Sequence, residues 1–79
     1  MFVEIVFVGL QIDRDEVEEA LEIAFGDDGE VTGAGSGMGQ CHLDLEIEER
    51  ADRDEALRRL ERVLAELGAS ESAQVFVRA

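Results

Sequence analysis

The sequence lacks most of the side chains that enzymes use for chemistry. It contains one cysteine, one histidine, no tyrosine and no tryptophan, and its seven basic residues are all arginine. Because Cys41 has no partner cysteine, no disulfide can form within the chain, and such usage suits a reducing, cytoplasmic setting. The remaining polar side chains are mostly scattered acids. We therefore expect a protein that is not an enzyme and uses no cofactor.

A long hydrophobic run is also missing. No apolar segment approaches the ~20 residues that a helix needs to cross a bilayer. The apolar stretch over residues 2–8 contains Glu4 and has no basic residue before it, unlike a secretory signal. We expect no membrane association and a cytoplasmic location.

Positive charge is scarce. The chain has 20 acidic residues against seven basic ones, which gives a net charge of −13. Contacts to nucleic-acid phosphates require a basic patch, so we expect no nucleic-acid partner. The negative charge favours a basic protein partner or simple solubility. It is equally consistent with a salt-rich cytoplasm or with an arginine-over-lysine codon bias.

A glycine-rich stretch organises what is present. Glycines stand at every second position from Gly33 to Gly39, and strict apolar/polar alternation follows from Cys41 to Glu48. Both patterns have the two-residue period of a strand. They predict a β-hairpin with its turn within Gly37–Gln40 and at least one glycine of Gly33–Gly39 at positive φ.

Matching elements flank this hairpin. Residues 2–8 form a strand that is largely apolar on both faces, which is typical of a central strand. Two helical patterns follow Asp13 and Asp52, which we expect to be N-caps, and glycines at 26 and 68 end them. A closing strand covers residues 73–78. The predicted order is strand–helix–strand–strand–helix–strand.

This order resembles the ferredoxin-like sandwich. The resemblance implies one α+β domain over residues 1–79, with a four-stranded antiparallel sheet in the order 4-1-3-2 and both helices on one face. The Gly-Xaa-Gly-Xaa-Gly-Met-Gly hairpin also resembles one in small uncharacterised bacterial proteins. Ferredoxin-like sandwiches include regulatory ligand-binding modules, metal chaperones, RNA binders and small enzymes, so the fold alone does not decide the function.

The glycine run could be structural or could bind a ligand. It lacks the spacing of a dinucleotide loop and the Lys-Ser/Thr end of a P-loop. Our main interpretation is that alternate glycines leave one strand face bare, so that a helix or another backbone can approach closely. The alternative is a site for a neutral or cationic ligand formed by Gly35, Ser36, Gly37 and Gly39.

The third strand carries a second candidate site. His42, Asp44 and Glu46 alternate on one face and could bind a divalent cation. Same-face residues on a strand lie ~7 Å apart, however, so our main interpretation is a solvated acidic surface, and the cation site is the alternative. Cys41 has the opposite parity and should be buried and inert. A Cys–His pair is therefore not expected, and Ser36 has a base partner only if His42 reaches across the turn.

The open sheet face is a candidate interface. If every second residue of the first strand faces the helices, the residues between them point away from the helices. The same alternation on the last strand makes its aromatic residue point away from the helices as well. The expected interface residues are Phe2, Val6, Val8 and Phe76. An exposed patch of large apolar side chains usually marks an interface. We expect a homodimer, because a domain of this size buries only roughly 60% of its unfolded surface.

Three functions remain open. The first is a non-enzymatic interaction module that self-associates. The second is a regulatory domain that binds a small ligand or divalent cation, and the third is an acidic, immunity-type inhibitor of a basic protein. A thermal shift with divalent ions or metabolites favours the second, co-purification with a basic protein favours the third, and a dimer with neither response favours the first.

The charge imbalance predicts that added salt stabilises the fold near neutral pH. Thirteen uncompensated negative charges on 79 residues repel one another, and salt screens this repulsion over a Debye length of ~10 Å at 0.1 M. Thermal melts at low and high chloride concentration test this. A melting temperature that stays flat or falls with salt contradicts the prediction.

Overall fold

Six regular elements make up the fold. The computed structural model describes residues 1–78, and no helix in that range is long and apolar enough to cross a membrane. The elements are β1 (Phe2–Val8), α1 (Arg14–Phe25), β2 (Gly29–Gly37), β3 (Gln40–Ile47), α2 (Arg53–Glu66) and β4 (Ala73–Arg78). The predicted strand–helix–strand–strand–helix–strand order is confirmed.

The four strands form one antiparallel sheet in the order β2-β3-β1-β4. This is the predicted 4-1-3-2 order, and it gives the chain the ferredoxin-like topology. The strand β1 pairs with β3 on one side and with β4 on the other, which confirms that the strand with two apolar faces is central. The strands β2 and β4 are the two edges.

The core lies between the sheet and the two helices. From β1, the side chains of Val3, Ile5 and Phe7 are fully buried. They pack in one cluster with apolar residues of β3, α1 and α2, namely Leu43, Leu45, Ile47, Val17, Leu21, Phe25, Ala56, Leu60 and Leu64. Among residues 1–78, no polar or charged residue is buried with them. Burial of alternate residues along β1 and β3 leaves the remaining residues on the opposite face of the sheet.

The two helix starts differ. At α2 the carboxylate of Asp52 accepts a hydrogen bond from the backbone N–H of Glu55 at 3.3 Å, so the predicted cap is confirmed. At α1 Asp13 occupies the N-cap position, but its side chain makes no capping bond. The predicted N-cap position is confirmed, but a side-chain bond is not formed; instead the carbonyl of Asp13 accepts the N–H of Glu16 at 3.0 Å, so that this N–H needs no side-chain partner.

One arginine joins the helices on the outside of the core. Nη2 of Arg59 donates to Oε1 of Glu55 at 2.8 Å, and Nη1 contacts Asp28 Oδ2 at 3.3 Å. Nη1 also donates to the carbonyl of Ala24, and the guanidinium lies 5.0 Å from the ring centroid of Phe25. The carboxylates of Glu55 and, second, Asp28 raise the pKa of Arg59 above its usual value. A side chain of α2 thus binds the C-terminal end of α1.

A two-residue turn closes the glycine hairpin. Gly37 pairs with Gln40, and the residues between them, Met38 and Gly39, have φ angles of 53° and 78°. Positive φ at both central positions is the turn geometry that matches the twist of a hairpin. The predictions of the turn position and of a positive-φ glycine are confirmed.

The turn geometry predicts different costs for two neighbouring glycines. Replacing Gly39 by alanine should destabilise the protein by ~1 kcal/mol or more, because a side chain is strained at positive φ. Gly37→Ala is the matched control, since its φ is not in the left-handed region and a Cβ atom there meets nothing within 4 Å. Chemical denaturation of both variants measures this, and equal midpoints contradict the prediction.

Candidate functional site

The face of the sheet opposite the helices, called the open face below, carries every candidate site side chain except two. Strand pairing places every second residue of each strand on this face. The strands β1 and β3 supply eight of them, namely Phe2, Glu4, Val6, Val8, Gln40, His42, Asp44 and Glu46. The edge strand β4 adds Gln74, Phe76 and Arg78. The candidates that lie elsewhere are Ser36 on the helix side and Gly39 in the turn.

The predicted interface residues lie together on the β1–β4 half of the open face, as expected from their parity. They are defined here as the apolar patch: Phe2, Val6, Val8 and Phe76. Val8 and Phe76 are 55% and 44% exposed, and the other two are half-buried. Their contact with a partner remains a prediction.

The acid inside the apolar patch is compensated. Strand pairing places Glu4 directly opposite Phe76, and Arg78 Nη2 approaches Glu4 Oε1 to 3.3 Å. Both side chains are partly solvated, so this ion pair contributes at most ~1 kcal/mol. Its larger effect is to remove an unpaired charge from the centre of the patch.

The other half of the open face is acidic. Glu4 lies opposite Asp44, and Glu30 lies opposite Glu46. Like charges in directly opposed cross-strand pairs destabilise a sheet. One basic neighbour on this half is His42, whose Nε2 lies 3.9 Å from Oδ2 of Asp44. The open face is therefore divided into an apolar half and a negatively charged half.

The glycines of β2 make room for side chains of β3. A Cβ atom on Gly35 would lie 2.6 Å from Cε1 of His42, and one on Gly33 would lie 2.7 Å from Oδ2 of Asp44. The expectation that a helix or another backbone approaches this bare strand face is wrong. The glycines point to the open face, so the imidazole and carboxylate of the neighbouring strand occupy the space.

The predicted ligand-binding residues are only partly brought together. Gly35, Ser36 and Gly37 line a shallow depression of about 420 Å³ on the open face, together with Val6 and four polar or sulfur-containing neighbours, Glu4, Gln40, Cys41 and His42. Gly39 does not line this depression, because it lies in the turn. Binding of a small ligand remains a prediction.

Neither nucleophile pairs with His42. Strand pairing sets Ser36 opposite Cys41 and Gly35 opposite His42, so His42 points to the other side of the sheet from both. The hydroxyl of Ser36 instead accepts a hydrogen bond from Nη1 of Arg14 at 2.6 Å. No local sequence pattern indicates this contact between the start of α1 and the hairpin. The opposite parity of Cys41 and His42 is confirmed, and Cys41 packs half-buried against the core.

The predicted metal ligands are also only partly brought together. His42 and Asp44 are neighbours, but Glu46 does not join them in a common site. Over the described part of the chain, no three His, Cys, Asp or Glu residues are grouped so that they could hold a metal ion.

Comparison with models of known protein families finds no match. The curated proteins likewise include none that matches this sequence. The resemblance of the hairpin to small bacterial proteins therefore remains a prediction, and the functional argument rests on the open face.

The contact between His42 and Gly35 predicts an energetic coupling. Gly35→Ala should displace the imidazole from β2, because the added methyl group occupies its position. In a double-mutant cycle, Gly35→Ala should cost less stability in a His42→Ala background than in the wild type, by a few tenths to ~1 kcal/mol. Urea denaturation of the four proteins measures the coupling, and additive effects contradict it.

Proposed function

We propose that the protein is a small non-enzymatic interaction module that self-associates through the apolar patch of the open face. The observation that carries the proposal is the segregation of this face. Large apolar side chains and one compensated ion pair gather on the β1–β4 half, whereas the uncompensated acids lie on the β2–β3 half. Clustering of this kind is typical of an interface.

The energetics support association on this half. Complete burial of an exposed valine or phenylalanine contributes ~1.5–3 kcal/mol. Val8 and Phe76 still have about half of their surface to bury. An isologous contact would bury the patch of each copy, which partly offsets the small size of the single core.

The charge distribution sets the geometry and conditions of the contact. A two-fold axis through the patch brings the apolar half of one copy onto the same half of the other. The members of the like-charged pairs that lie outside the patch, Asp44, Glu30 and Glu46, are then at the periphery of the contact, where salt screens them. Association should therefore strengthen as ionic strength rises.

The same like-charged pairs favour a second candidate, an acidic inhibitor of a basic protein. The repulsion between opposed carboxylates on neighbouring strands is relieved when a cationic partner binds over them. The inhibitor reading predicts tight binding to a basic protein that weakens as salt is added, which is the opposite salt dependence to self-association.

Val6→Glu should abolish association through the open face, because it places a charge in the middle of the apolar patch. Ile23→Glu is the matched control: Ile23 is 76% exposed on α1, so the same chemical change occurs far from the patch. Light scattering behind a sizing column at high salt measures the mass of each variant. We expect Ile23→Glu to keep the mass of the wild type and Val6→Glu to lower it.

The proposal fails if the wild type is a clean monomer at tens of micromolar. It also fails if Val6→Glu leaves both the mass and the stability unchanged.

A further inference from the structure

The two edge strands of the sheet differ in their protection against strand pairing. The edge strand β2 has a register shift between Val31 and Gly33, exposes Glu30, and lacks side chains at its alternate glycines. Bulges, charges and interrupted side-chain rows are devices that prevent a second strand from adding to an edge. The edge strand β4 has none of these devices from Gln74 to Val77, where its register with β1 is regular.

The edge β4 is also uncovered on both faces of the sheet. On the open face Phe76 is 44% exposed, and on the helix side Val75 is 38% exposed although it lies opposite the buried Ile5. A groove of about 390 Å³ separates β4 from α2, and its apolar lining comes from Leu64, Ala65, Ala73 and Val75. An added strand would therefore find apolar contacts above and below its backbone.

The charge of this side permits a second copy of the same chain. The helix α2 has four arginines and four acids, and the only charged residue of β4 is Arg78. By contrast, α1 has one arginine and five acids. In a chain with a net charge of −13, the β4–α2 side would thus bring two copies together with little repulsion.

We infer that β4 pairs antiparallel with β4 of a second copy, which joins the two sheets into one of eight strands. The sequence of β4 is self-complementary in a pairing centred on Phe76. Phe76 then lies opposite its own copy, Val75 lies opposite Val77, and Gln74 lies opposite Arg78. No like charges oppose each other, and aromatic and β-branched cross-strand pairs stabilise a sheet.

This edge contact is distinct from the proposed stacking of open faces. Edge pairing leaves the open face free and places the two apolar patches side by side across the two-fold axis. The two contacts are therefore compatible, and each is lost through a different substitution. Val6→Glu removes stacking and leaves edge pairing, so this background isolates the edge contact.

Amide hydrogen exchange tests edge pairing directly. In an isolated edge strand, alternate N–H groups point to solvent, whereas in a paired strand all of them are bonded. We expect the amides of four consecutive residues, 74–77, to exchange slowly in the wild type and in Val6→Glu at high salt. The alternate amides that point away from β1 should exchange at least tenfold more slowly at high protein concentration than at low concentration. Fast exchange at alternate positions at every concentration overturns the inference, whatever happens to the open face.

Charge on the edge provides the second test. In the Val6→Glu background, Val75→Lys should halve the mass and free the alternate β4 amides, because it places a charge opposite the apolar Val77 of the second copy. Val75→Thr keeps a β-branched, uncharged side chain and should leave the mass unchanged, as should Ala34→Lys on the helix side of β2. The inference is overturned if the Val6→Glu/Val75→Lys protein keeps the mass of a dimer and full protection of its β4 amides. It is also overturned if the Val6→Glu protein is a monomer.

Discussion

The pairing of β1 on both of its sides is the constraint on which the rest of the structure depends. Because side chains alternate along a strand, the pairing that buries Val3, Ile5 and Phe7 also fixes Phe2, Val6 and Val8 on the open face. Two helices cover only one face of a four-stranded sheet. The open face is consequently as fully determined by the fold as the core is.

Side-chain size then determines where the polar and apolar groups lie on the open face. Glycines of β2 leave room for the His42 and Asp44 side chains over the edge strand, so these polar groups extend away from the apolar patch. Arg78 compensates Glu4 inside the apolar patch. A chain with a strong negative charge thereby keeps an apolar, nearly neutral surface along β1 and β4, which is what association with a second copy requires.

Periodicity was sufficient to predict the elements, their order and the direction of the side chains on β1, β3 and β4, because these depend on local pattern and on the limited topologies of a small sandwich. It was not sufficient for contacts between distant segments. The bond from Arg14 to Ser36 spans 22 positions and the one from Arg59 to Asp28 spans 31. The side chains that lie beside the β2 glycines also depend on the pairing register of β2 with β3. Because glycine has no side chain, the alternation of glycines does not indicate this register. Asp13 shows that even a local capping pattern can be replaced by a backbone bond.

We propose that the β1–β4 side of the sheet is the surface that this protein uses for association. Amide correlation spectra recorded over a dilution series at high salt test it most directly, since they locate the contact without any substitution. We expect concentration-dependent shifts at Phe2, Val6, Val8 and Phe76, with the signals of α1 unchanged. Spectra that do not change with concentration, or shifts centred on Ile23, would contradict it.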